Sequence, residues 1–89
     1  MNIRTWIEEI HPDETVLLAD GFDDALIGVG RIFNGLPIAV YDSDLCIAEL
    51  QKKGMSREDA EDWFSYNVIS SYIGEQTPMF MERPPKENQ

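Results

Sequence analysis

"YDSDLCIAELQKKGMSREDAEDWFSYNV", residues 41–68, contains the signals for two consecutive helices and the turn between them. Asp42 or Ser43 can cap the first helix through a side-chain oxygen, and we predict that this helix runs to Lys53. Apolar residues recur along the helix at a spacing of three or four. They predict one buried face, formed by Cys46, Ile47 and Leu50.

The second helix of this stretch is predicted to be acidic at its start and apolar at its end. Gly54 suits the positive φ angle of a helix C-terminal cap, and Ser56 can cap the helix that follows. We predict that this helix continues to Gly74, with Asn67 on its buried face. Its second half is apolar on most sides and must be buried in the core or in a partner; its apolar residues are Tyr66, Val68, Ile69, Tyr72 and Ile73.

The rest of the chain predicts a first helix and a small sheet. The helix begins after Asn2, a capping residue, and ends before Pro12. Asn34-Gly35 lies between two apolar runs and predicts a hairpin. Apolar and β-branched runs predict four strands, at residues 15–19, 25–33, 36–42 and 77–81.

These elements follow one another in the order α-β-β-β-α-α-β. For residues 25–33 a helix is the alternative, but Gly28 and Gly30 would each cost a helix interior about 1 kcal/mol. We therefore predict an α+β domain over residues 1–82, in which a helical pair covers a small antiparallel sheet of three to four strands. Residues 83–89 are polar and contain prolines, which predicts a flexible tail.

Composition limits the function classes that the chain can serve. The 89 residues include 17 Asp and Glu against 7 Lys and Arg, which gives a net charge of −10. Phosphate backbones repel such a chain, so direct nucleic-acid binding is not expected and a basic partner is favoured. The single cysteine excludes a disulfide within the chain, and the N terminus is not typical of a secretion signal. With no apolar run of membrane-spanning length, we expect a cytoplasmic location.

Residues with catalytic potential are few. His11 is the only histidine and lies beside Pro12, and Cys46 belongs to a predicted buried face, so neither indicates a nucleophile with its base. Gly28 and Gly30 begin a dinucleotide-binding pattern that Phe33 interrupts. We therefore predict no enzymatic activity and no cofactor. The remaining chemical alternative is a carboxylate site for magnesium or calcium, formed by Asp20, Asp23, Asp24, Asp42 and Asp44.

Two acidic segments lack any basic residue within them. The first lies between Arg4 and Arg31, and the second lies between Arg57 and Arg83. Together they can form a negative face that resembles a line of phosphates, although charge runs also serve simply to keep a surface solvated. The candidate partner-binding residues are Asp20, Asp23, Asp24, Glu58, Asp59, Glu61 and Asp62.

Four stretches of the chain resemble a family of small acidic proteins encoded by tailed phages and prophages. They are "LLADGFDDALIGVG" at residues 17–30, "VYDSDLCIAEL" at 40–50, "GMSREDAEDWFSYNV" at 54–68 and "YIGEQTP" at 72–78. No activity is established for that family, so the resemblance implies a phage origin and assigns no catalytic residue.

The sequence thus favours a non-enzymatic phage accessory protein. We expect it to bind a host protein that has a basic surface, in the host cytoplasm, and to inhibit or redirect it, with a defence or nucleic-acid-handling protein as the target. The alternative is a structural or oligomeric module, monomeric or homodimeric, that uses the apolar end of the second helix.

Overall fold

Three helices and three strands form the fold, in a computed structural model that describes residues 2–33 and 35–84. The α+β class is confirmed. The elements in chain order are α1 (Ile3–Ile10), a 3₁₀ turn (Asp23–Ala25), β1 (Leu26–Gly30), β2 (Ile38–Asp42), α2 (Ser43–Lys52), α3 (Arg57–Phe64), a π-helical segment (Ser65–Ile69) and β3 (Met79–Met81).

The helix boundaries follow local signals in the sequence. Asn2 caps α1 by accepting a hydrogen bond from the Arg4 amide, and Ser56 caps α3 in the same way through Asp59. Of the two candidate caps for α2, Asp42 is the one used, because its Oδ1 accepts from the Leu45 amide at 3.1 Å. Gly54 has φ +105°, as the predicted turn between α2 and α3 requires.

The sheet is mixed, with strand order β1-β2-β3. β1 and β2 are antiparallel, and Gly30 pairs with Ile38, whereas β3 runs parallel to β2, with Val40 opposite Met79. The prediction of a wholly antiparallel sheet is therefore wrong for β3. The reason is the connection from β2 to β3, which passes through α2 and α3 and so can return the chain in the same direction.

Residues 15–19 form no strand, contrary to prediction. Side chains satisfy the backbone of this segment instead of a neighbouring strand. The Ala19 amide donates to the Tyr41 hydroxyl at 2.7 Å, and the Thr15 carbonyl accepts from the Gln76 amide. Val16 and Leu18 still pack against the core, so the apolar character of the segment predicts burial correctly but not strand pairing.

The connection between β1 and β2 spans residues 31–37, and Asn34 of the predicted Asn34-Gly35 turn lies outside the described residues. The Gly35 amide donates to the Ile32 carbonyl at 2.7 Å, and β1 ends at Gly30 rather than at Phe33. A Cβ atom on Gly35 would lie 2.5 Å from Ile32 Cγ1, so a larger residue here would have to displace the Ile32 side chain.

Aromatic rings join the helices to the sheet. Phe64 of α3 contacts Phe22 and Phe80 edge-on, with ring centroids 6.1 Å and 5.3 Å apart, and Phe80 stacks on Tyr41 at 5.4 Å. Cys46 is fully buried among these groups, and burial raises the pKa of its thiol to about 12. The predicted buried face of α2 is therefore confirmed, with Ile47 and Leu50 also in the core.

An ion pair between a buried carboxylate and a largely exposed guanidinium connects β2, α2 and the residues after β3. Asp42 is 1% exposed, and while its Oδ1 caps α2, its Oδ2 lies 2.6 Å from Arg83 Nη2. This contact is electrostatic, because Oδ2 accepts no hydrogen bond of acceptable geometry from the described residues. Arg83 begins the segment predicted as a tail. Residues 85–89 lie outside the described part of the chain, and the boundary at residue 83 stays a prediction.

We expect Arg83→Gln to lower the free energy of unfolding by about 1–3 kcal/mol, because it leaves a buried carboxylate without its countercharge. Urea unfolding followed by circular dichroism measures the loss. The matched control is Arg57→Gln, which removes two exposed ion pairs, to Asp44 and Glu61, and should cost at most about 1 kcal/mol. In an Asp42→Asn background the cost of Arg83→Gln should shrink, since an amide needs no countercharge. An equal cost in both backgrounds would contradict this role for Arg83.

Candidate protein-binding surface

The contact between Phe22 and Phe64 brings the two acidic segments together. Phe22 lies between Asp20 and Asp23, and Phe64 is the last residue of α3, two positions after Asp62. Their ring centroids are 6.1 Å apart, so the loop that carries Asp20 packs beside α3. The sequence predicts each acidic segment separately, and this long-range aromatic contact connects the loop of the first segment to the helix of the second.

Two of the seven predicted binding residues are engaged in ion pairs. Asp23 accepts two hydrogen bonds from the Arg4 guanidinium, both at 2.8 Å, and these bonds hold the pKa of Asp23 below its usual value. Glu61 lies 3.3 Å from Arg57 Nε and lines a separate cavity that also contains Arg57. Neither carboxylate is a free charge for a partner.

The other five predicted residues remain exposed. They form no ion pair with another residue that the structure describes, and they are Asp20, Asp24, Glu58, Asp59 and Asp62. Lys53 reduces the net negative charge around the loop that carries Asp20, because its ammonium group lies near Gly21. The Lys53 Nζ atom would be 3.5 Å from a Cβ atom built on Gly21. The charge surplus is thus strongest along α3, which carries three of the five.

An apolar cavity of ≈ 290 Å³ opens beside these residues. Its walls come from the segment before the 3₁₀ turn, from the end of α3 with the π-helical segment, and from the residues around β3. The lining residues include Leu18, Asp20, Phe22, Trp63, Asn67, Val68, Ser71, Pro78 and Phe80. Trp63 is 41% exposed, so its indole forms part of the open wall rather than of the core.

Helical spacing places a second carboxylate near the same cavity. Asp59 precedes Trp63 by four residues, and side chains at this spacing lie on the same face of a helix. Asp20 is itself a lining residue. The cavity therefore combines an apolar interior with the carboxylate of Asp20 in its wall, and Asp59 lies on the face of α3 that carries Trp63.

The π-helical segment explains why the second helix departs from its predicted course. Asn67 Nδ2 donates to the Trp63 carbonyl at 3.0 Å, and the Ser70 and Ser71 hydroxyls donate to the Tyr66 and Asn67 carbonyls. Such side-chain bonds compete with regular helix bonding, and π-helical turns are frequent at functional sites. The prediction of a buried Asn67 is wrong, because its side chain is exposed and bonds locally.

Most of the apolar end of the second helix is not buried in the core, contrary to one of the two predicted alternatives, and of its residues only Val68 packs against the core. Tyr66 is 80% exposed and Ile73 61% exposed, while Ile69 and Tyr72 are also largely exposed. The helical conformation ends near Ser70 rather than at Gly74. These side chains are therefore available to a partner.

A second apolar region lies where sequence patterns predict strand. Ile32 and Phe33 fall in the connection after β1, and Phe33 is 94% exposed. Together with Leu36 and Tyr72 they line a groove of ≈ 510 Å³. The Gly-rich flank of this run and the turn at Gly35 are the sequence signals that could have placed Ile32 and Phe33 in a loop.

His11 lies in a polar cluster with Glu14 and Arg31. His11 Nδ1 lies 3.0 Å from Glu14 Oε1 and 3.4 Å from Arg31 Nη2. In the described ranges, no three His, Cys, Asp or Glu residues are grouped as metal ligands. Over the same ranges, no helix is long and apolar enough to cross a bilayer.

Comparisons of the chain with models of protein families, with curated proteins and with solved structures return no match.

We expect millimolar Mg²⁺ or Ca²⁺ to leave the melting temperature unchanged relative to NaCl of equal ionic strength. The alternative carboxylate site needs Asp23 and Asp42, but these pair with Arg4 and Arg83. A ligand that binds the folded state would raise the melting temperature. Circular dichroism at each ionic strength measures it, and a rise specific to a divalent ion would restore the metal-site alternative.

Proposed function

We propose that this chain is a non-enzymatic accessory protein that binds a host protein with a basic surface and inhibits or redirects it. The observation that supports the proposal most directly is the packing of Phe22 on Phe64, since it sets the Asp20 loop beside the C-terminal end of α3, the helix that carries Asp59 and Asp62. Carboxylates on this surface take the place of nucleic-acid phosphates. The resemblance to phage-encoded proteins supplies the setting, a bacterial host and its cytoplasm.

The proposed mechanism is electrostatic at long range. A net charge of −10 on so small a chain accelerates the encounter with a basic surface and repels competing nucleic acid. On arrival, Asp59, Asp62 and Asp20 accept hydrogen bonds from lysines or arginines that otherwise bind phosphates. The bound protein then excludes nucleic acid by occupying its site.

A pull-down from host lysate tests this proposal. The tagged chain should retain a defined host protein at about 0.05 M salt and lose it at about 0.5 M, because screening removes the attraction between exposed charges. Asp59→Asn with Asp62→Asn should abolish the retention.

The matched control is Glu8→Gln with Glu9→Gln, which removes the same amount of charge from α1. That helix packs against β1, at the sheet edge opposite to β3, and its variant should retain the host protein. If both double variants weaken retention equally, the effect belongs to net charge and not to this surface. Retention that is insensitive to salt would contradict the electrostatic mechanism.

A second candidate function, self-association through an apolar surface, is favoured by the exposed groove of Ile32, Phe33, Leu36 and Tyr72. Apolar surfaces of this kind mark association sites in soluble proteins. Because two copies each carry a charge of −10, their repulsion weakens as salt is added.

Sedimentation velocity separates the two candidates, because salt should strengthen self-association and weaken acidic-surface binding. Phe33→Ser with Tyr72→Ser should return a dimer to the monomer. The control Tyr66→Ser, an exposed aromatic that does not line the groove, should leave the dimer intact. A monomer under every condition of salt and concentration would rule this candidate out.

A further inference from the structure

We propose that the cavity beside Trp63 receives a single aliphatic or aromatic side chain of the partner, from a segment in which arginines or lysines flank that side chain. The inference rests on the proposed function and names the local chemistry of the partner segment. It assigns to the cavity the role of an apolar anchor site and to the acidic residues the role of orienting the segment around it.

Size and lining favour a side chain over a larger ligand. The cavity has a volume of ≈ 290 Å³, at the lower limit of small-molecule sites, which span about 300–1,000 Å³. Phe22, Val68 and Phe80 supply apolar walls, and burial of an apolar side chain against them is favourable because it removes apolar surface from water.

Charge complementarity selects the flanking residues. Asp20 lines the cavity, Asp59 lies one helical turn before Trp63, and the cavity has no lysine or arginine among its described lining residues. An acidic segment, or a fatty acid with its carboxylate at the rim, would meet like charge. A basic segment instead pairs its cations with these carboxylates while its apolar residue enters the cavity.

The position of Trp63 gives it the largest expected share of the binding energy. Interface residues that dominate affinity are enriched in tryptophan and lie where apolar contact is surrounded by polar groups. Trp63 has this environment, since Asp59 and Asp62 precede it on α3 and its carbonyl accepts from Asn67.

Three synthetic peptides of equal length test the inference. The first has a central leucine flanked by two arginines on each side, the second has serine in place of the leucine, and the third has glutamine in place of every arginine. Binding is followed by the fluorescence of Trp63 in a Trp6→Phe background, whose folding is checked by circular dichroism. The basic peptide with leucine should bind at least about tenfold more tightly than either of the others.

Two changes to the cavity sharpen the test. Trp63→Ala removes one wall, and Ser71→Phe fills the opening from an exposed position. Because Trp63→Ala removes the fluorescent residue itself, binding to this variant is followed by a dye attached to the peptide. Each should reduce binding of the leucine peptide to the level of the serine peptide. The control Tyr66→Ala, also an exposed aromatic but outside the cavity lining, should bind all three peptides as the parent does.

The three possible contrary outcomes bear differently on the inference and on the proposed function. If the leucine and serine peptides bind equally and lose affinity in salt, the anchor site is overturned while acidic-surface binding stands. If the peptide without arginine binds as well as the basic one, the charge requirement fails and the proposed function is weakened with it. If no peptide binds, the inference is overturned, and the salt-dependent pull-down alone then decides the proposed function.

Discussion

Asp42 is the last residue of β2 and directly precedes α2, and its carboxylate contacts both α2 and the segment after β3. One oxygen caps α2 through the Leu45 amide, and the other faces the Arg83 guanidinium beyond β3. A carboxylate that is 1% exposed is costly without such partners, so the strand, the helix and the segment after β3 must be in place together. The parallel pairing of β3 with β2 depends on the same junction, because Asp42 pairs with Met81 in the sheet.

A chain of aromatic contacts runs from this junction to the surface and fixes the position of the Asp20 loop. Tyr41 stacks on Phe80, Phe80 meets Phe64, and Phe64 meets Phe22, which carries the Asp20 loop to the side of α3. Negative charge and an apolar cavity thereby become adjacent. Charge on its own attracts many partners weakly, whereas an adjoining apolar site adds the short-range contact on which specific affinity depends. This adjacency is the structural basis of the binding role proposed for the chain.

Local patterns predicted the helices well and the sheet less well. Asn2, Ser56 and Gly54 act where the sequence indicates, because capping involves residues two or three positions apart and a turn glycine responds to its own φ angle. The strand predicted at residues 15–19 does not form. An apolar run becomes a strand only if another strand forms hydrogen bonds with its backbone, and here side chains form them instead. Those side-chain groups are the Tyr41 hydroxyl and the Gln76 amide, both distant in sequence.

The candidate site also combines features that local sequence patterns predict with features that depend on long-range contacts. The α+β class, the acidic surplus, the capped corner between α2 and α3, and the two acidic segments can all be predicted without the structure, because they follow from composition and short-range spacing. The three-dimensional arrangement is needed to see that Arg4 pairs with Asp23, that Tyr66 and Ile73 stay exposed, and that Asp20 and Trp63 line one cavity. Each of those outcomes depends on contacts between residues far apart in the chain, whose geometry arises when the core packs and not from any local pattern.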